Sequence, residues 1–132
     1  MKITADTNVL VRLLMADDAA QNAVAVRTVE EAGTVAIGVH SFCELAWVLH
    51  RHYGVSRPDI ARAIRQLSEA RNVVINRPAV EAGLEVLEAG GDFADGAIAY
   101  EGRWLGGDTF VSFDAKAVKL LKRQGKPALV LS

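Results

Sequence analysis

The stretch FVSFDAKAVKLLKRQGKPALVL, residues 110–131, decides the fold. Phe110 to Phe113 reads as a short apolar strand. Asp114 opens AKAVKLLKRQG as a helix. Ala128 to Leu131 then reads as a second strand. Two strands joined through a helix do not make a hairpin; the crossover leaves them parallel.

The same alternation extends outward to the other end of the chain. Residues 2–6 (KITAD) form a predicted strand followed by a helix over Asn8 to Met15. Asp17 and Asp18 cap a second helix that Gly33 closes. Thr34 to Val39 is a β-branched strand, after which Ser41 opens SFCELAWVLHRHYG. Phe42, Leu45, Ala46 and Leu49 supply its helical stripe, and Gly54 ends it. Ser56, with Pro58 in the first turn, opens a helix to about Ala70. Asn72 to Asn76 is a strand, Pro78 starts AVEAGLEVLEAGG, and Asp92 opens FADGAIAYEGRWLGG. The order βαα-βαα-βαα-βα-β predicts an α/β fold. Its parallel sheet should have four to five strands covered by helices on both faces, within a single domain spanning residues 1–132.

Composition narrows the function. The chain has 132 residues, 51% apolar and 23% charged, an ordinary globular mix. Aromatic residues are 6% of it, too few for an extended base-stacking platform. No apolar run approaches the length of a membrane span. No basic stretch leading into an apolar segment opens the chain, so no secretory signal is expected. The single cysteine, Cys43, cannot form an internal disulfide or a cysteine-based zinc site, and a cytoplasmic location fits. Cys43 is expected to pack as a small helix residue. His40, His50 and His52 are expected on solvated helix faces.

The net charge of −1 does not announce a nucleic-acid binder, but its distribution is uneven. Residues 1–49 sum to −3, 50–78 to +4, 79–114 to −7 and 115–132 to +5. Basic blocks flanking an acidic pocket can still steer a polyanion.

In an open parallel sheet, ligands bind beyond the carboxyl ends of the strands. Four acids are expected there. Asp6 ends the first strand, and Glu44 lies in the first turn of the helix after the second. Asp95 lies in the first turn of the helix before the fourth strand, and Asp114 ends that strand. Each also suits a helix cap: Ser41-x-x-Glu44 and Asp92-x-x-Asp95 have capping-box spacing, and Asp114 is a good N-cap. Spacing does not separate caps from ligands. As ligands, clustered carboxylates repel and need a cation, and an oxygen-only set suits Mg²⁺ or Mn²⁺. No GxGxxG, GxxxxGK[ST] or GxSxG motif is present, which removes dinucleotide-binding, P-loop and hydrolase-elbow readings.

The segments ADTNVLVRLL (5–14), SFCELAWVL (41–49), GDFADGAIAY (91–100) and FVSFDAKAVKL (110–120) resemble a PIN domain, with the VapC-type toxins of bacterial toxin–antitoxin pairs as the nearest group. The resemblance covers nearly the whole chain. It implies a metal-dependent endoribonuclease toxin whose acidic quartet falls on Asp6, Glu44, Asp95 and Asp114. Asp6 and Asp95 would be the first choice for direct Mg²⁺ ligands. Glu44 and Asp114 would complete the cluster or orient the attacking water. Thr7 or Asn8 takes the family's polar position beside the first aspartate, and Ser112 the Thr/Ser before the last. Many relatives carry a further acid two residues after the last aspartate; here Lys116 stands in that place, which weakens a full second metal site. It leaves two readings, a contact to a substrate phosphate or a solvated lysine in a helix that also carries Lys119, Lys122 and Arg123. RNA contacts are expected from the basic block of Arg51, Arg57, Arg62 and Arg65 and from the Lys116–Lys126 helix. The resemblance also implies a homodimer and a small antitoxin partner. Two alternatives remain: a catalytically inactive PIN-like binding module whose acids are caps, and a Mg²⁺-dependent phosphohydrolase of small molecules.

Overall fold

The computed structural model describes residues 1–132, whose contacts gather into two compact units, Met1–Asn76 and Arg77–Ser132.

The first unit contains β1 (Lys2–Thr4), α1 (Thr7–Leu14), α2 (Ala19–Glu31), β2 (Thr34–Ile37), α3 (Val39–Arg51), α4 (Arg57–Glu69) and β3 (Val73–Ile75). The three strands pair in parallel in the order β1-β2-β3. Ile3 lies opposite Val35, and Val35 opposite Val73. Each helical crossover returns the chain to the same starting edge, so β1 and β2 both end at one side. Asn72 fixes the start of β3, its side-chain amide donating to the Val29 and Ala32 carbonyls at 2.8 and 3.0 Å. The core is Leu10, Val35, Ile37, Phe42, Leu45, Leu49, Ile60 and Ile64, all essentially inaccessible. Ser56 caps α4 through the Asp59 amide with a proline in the first turn, as the sequence predicts.

The second unit contains α5 (Arg77–Glu88), α6 (Phe93–Trp104), β4 (Phe110–Ser112), α7 (Ala115–Arg123) and β5 (Ala128–Val130). The β4–α7–β5 crossover forms as read, with Phe110 opposite Ala128 in a parallel pair. Val86, Leu120 and Leu121 are buried together, with Phe110 and Ala128 packed against them. Two glycines let α5 and α6 approach closely. A Cβ at Gly83 would strike the Phe93 ring, and one at Gly96 would strike the backbone of Ala82 and Gly83.

All five expected strands are present and every pairing is parallel, but the ladders divide into sheets of three and two strands. Helical cover is also uneven. In three-residue strands the middle side chain faces away from its neighbours, and the middle residues Val74, Val111 and Leu129 are exposed. No helix is long and apolar enough to cross a membrane.

Candidate active site

Asp6 follows β1 and caps α1, its carboxylate accepting from the Thr7 amide at 2.8 Å. That amide belongs to the first helical residue rather than the second or third, the usual targets of an N-cap side chain. Glu44 corrects an expectation. Helix α3 starts at Val39 with Gly38 as its cap, so Ser41 is not the cap and Glu44 lies in the second turn. A carboxylate there has no capping role, and Glu44 is exposed.

Asp6 and Glu44 line one open cleft of about 620 Å³ together with Thr7, Asn8, Arg12, His52 and Tyr53. Two of the three sequence-derived supporting positions, Thr7 and Asn8, therefore line this cleft. Thr7 is 8% exposed, and its hydroxyl is buried with no hydrogen-bond partner. An unsatisfied buried hydroxyl costs about 1–3 kcal/mol, and such groups gather where a ligand or water completes the bonding. His52 was expected only on a solvated face; it is exposed and also borders the cleft.

The cleft's far wall is braced. Arg12 donates to Asp17 Oδ1 at 2.8 Å and to Gln21 Oε1 at 2.7 Å. The Tyr53 hydroxyl donates to Asp17 Oδ2 at 2.8 Å. The Tyr53 hydrogen bond, and then the Arg12 charge, hold the Asp17 carboxyl below its ordinary value against the effect of burial. This network fixes two residues beside the acidic pair and joins α1 to the end of α3.

The second unit carries the other acids. Asp92 is the N-cap of α6 but makes no side-chain capping bond. Asp95 lies in the first turn. Burial, then the charges of Asp92 and Asp114, push the Asp95 carboxyl up from its ordinary value. From sequence the D-x-x-D spacing assigns Asp92 a capping role alone; the structure adds its charge to the surroundings of Asp95. Asp114 does act as a cap, Oδ1 accepting from the Lys116 and Ala117 amides at 3.0 and 3.1 Å. Ser112 positions it, its hydroxyl accepting from the Asp114 amide at 3.0 Å. Lys116 is exposed in the first turn of α7.

The sequence profile of the PIN domain matches residues 3–122. The chain belongs to the PIN-domain family. The match runs through both units and includes Asp6, Glu44, Asp95 and Asp114. PIN domains are typically metal-dependent nucleases that use divalent ions. No curated protein matches the chain.

Nowhere do three or more Asp, Glu, His or Cys side chains form a group that could hold a metal ion as they stand. The chemistry of the donors nevertheless fits what a PIN domain requires. The ligands on offer are carboxylate oxygens, which suit a hard divalent ion. Asp95 is a half-buried carboxyl raised first by burial and then by the charges of Asp92 and Asp114, a cost that a cation would offset.

Proposed function

We propose that this PIN domain is a Mg²⁺-dependent endoribonuclease, with Mn²⁺ as a competent substitute, and that it acts as the toxin of a toxin–antitoxin pair. The observation that carries the reading is the PIN-domain match over residues 3–122, which takes in the Asp6, Glu44, Asp95 and Asp114 carboxylates. Burial, and then the charges of Asp92 and Asp114, raise the Asp95 carboxyl, and a bound cation would offset that cost.

Asp6 and Asp95 are the proposed direct ligands, and Glu44 and Asp114 the proposed supporting acids. When bound, the divalent ion supplies charge neutralisation at the phosphodiester and activation of the attacking water. The chain's own residues do the rest. Glu44, free of any capping duty, is available to orient the water and accept its proton as the new oxygen–phosphorus bond forms and one ribose oxygen leaves. Ser112 holds Asp114 through its backbone amide. Arg12 and His52 border the cleft that contains Asp6 and Glu44, where their N–H groups can donate to a phosphate oxygen. Lys116 and Arg51 supply further backbone contacts. A homodimer, a small protein inhibitor and a cytoplasmic setting complete the reading.

The capping bonds of Asp114 favour one competing reading, a PIN-like binding module in which the acids serve only the helices. Incubating the protein with total cellular RNA, in Mg²⁺ or in chelator, and mapping the new ends decides between them. Mg²⁺-dependent internal cuts that disappear in Asp95→Asn support the nuclease. RNA left intact in both conditions supports the binding module.

A further inference from the structure

Trp47 is 58% exposed on α3, three residues beyond Glu44. Arg51 lies one turn further along the same face, its guanidinium carbon 6.0 Å from the indole centroid. The His52 ring meets the indole edge-on, with centroids 5.8 Å apart and planes at 75°. His52 in turn lines the cleft that contains Asp6 and Glu44. A large, rigid π-surface is thus held between a guanidinium and an imidazole at the rim of the acidic cleft.

The surroundings say what such a surface would take. The recorded neighbours of the Trp47 ring are the charged Arg51 and the polar His52, and Glu44 lies one helical turn before it on α3. An indole backed by a guanidinium offers stacking to a flat, electron-rich ring and charge to an adjoining phosphate. We propose that Trp47, with Arg51 behind it, stacks one unpaired nucleobase of a single-stranded RNA whose neighbouring phosphate enters the cleft. This rests on the ribonuclease reading and adds to it a base-binding residue outside the acidic site. A chain too poor in aromatics for a stacking platform can still place one indole where a single base must be turned out. Bases in a duplex are already stacked and have no free face to offer, so the site selects single strands.

The chain has two tryptophans, so Trp104→Phe leaves Trp47 as the sole indole reporter. Fluorescence of that variant is titrated in excess chelator with a single-stranded RNA decamer and with the same decamer annealed to its complement. The single strand should quench Trp47 saturably and the duplex should not. Trp47→Ala should weaken single-strand binding about tenfold, within the range for one stacked base, and Trp47→Phe should recover most of it. In Mg²⁺ the alanine variant should raise KM more than it lowers kcat. Absence of quenching, or equal affinity of parent and Trp47→Ala, overturns the stacking site. Cleavage of the same decamer in Mg²⁺ separates the two readings. A parent that cuts RNA without engaging Trp47 loses only the stacking site; a parent that neither binds nor cuts loses the ribonuclease as well.

Discussion

Gly96 lies so close to the Ala82 carbonyl that a side chain at this position would overlap the α5 backbone. The contact sets how near α6 sits to α5, and Asp95 is the adjacent residue on α6. Two effects compete when Gly96 becomes alanine. Helix propensity favours alanine by about 1 kcal/mol. Overlap with a helical backbone carbonyl, which cannot rotate aside, costs about 1–3 kcal/mol or more. Overlap should win, so Gly96→Ala should lower the thermal midpoint. Gly102, on the same helix, has nothing within 4 Å of its would-be Cβ. There propensity acts alone, and Gly102→Ala should raise stability by about 0.5–1 kcal/mol. Thermal melts of the two variants should move in opposite directions.

Asp95 has a raised carboxyl, and the sign of its effect follows. The folded state holds the proton more tightly than the unfolded chain. Stability therefore falls as pH climbs from the ordinary aspartate value to the raised one, and the penalty persists above it. Asp95→Asn carries no charge to repel Asp92 and Asp114, so at neutral pH its midpoint should equal or exceed that of the parent. The difference should close as pH falls through the same window. Added Mg²⁺ should stabilise the parent by mass action and the variant less. A variant that melts below the parent at neutral pH and recovers in acid would contradict the assignment.

Tyr53 and Asp17 give the opposite sign. The depressed Asp17 carboxyl contributes stability above its unfolded value that is lost as pH falls through the folded one. Tyr53→Phe removes the largest cause of that depression. Its midpoint should lie below the parent's at neutral pH, with the gap narrowing in acid. A carboxyl-carbon NMR titration of Asp17 should show its midpoint moving up in the variant. An unchanged titration would mean that Arg12 alone holds the carboxylate.

The limits of the sequence reading show at two places. Val39 reads as strand because it is β-branched, yet β2 stops at Ile37. Its last partner in β3 is Ile75, and Arg77 already begins a helix. Strand length is set by the neighbour's backbone, which local sequence does not contain. Ending the strand early moved the helix start from Ser41 back to Val39 and turned Glu44 from an apparent cap into a free carboxylate. At Asp92 the D-x-x-D spacing was legible, but spacing could not reveal that its side chain forgoes the capping bond and that its charge acts on Asp95. The β4–α7–β5 crossover, by contrast, was written plainly, because its helix, its cap and both strands lie within one short segment.

Asp114 is where cap and ligand overlap, and two substitutions separate them. Its Oδ1 accepts two backbone N–H groups at the start of α7. Asparagine keeps a carbonyl oxygen in that place and ranks beside aspartate as an N-cap, whereas alanine loses the cap at about 1 kcal/mol. Asp114→Asn also forgoes the favourable charge at the helix N-terminus, about 0.3–1 kcal/mol, but it relieves part of the repulsion on Asp95. The two changes oppose each other, so its midpoint should stay near the parent's while that of Asp114→Ala falls. If the carboxylate also serves a divalent ion, both variants should lose Mg²⁺-dependent RNA cleavage despite their different stabilities. Cleavage retained by the asparagine variant would leave Asp114 with the cap alone, and would shift the catalytic burden to Asp6, Glu44 and Asp95.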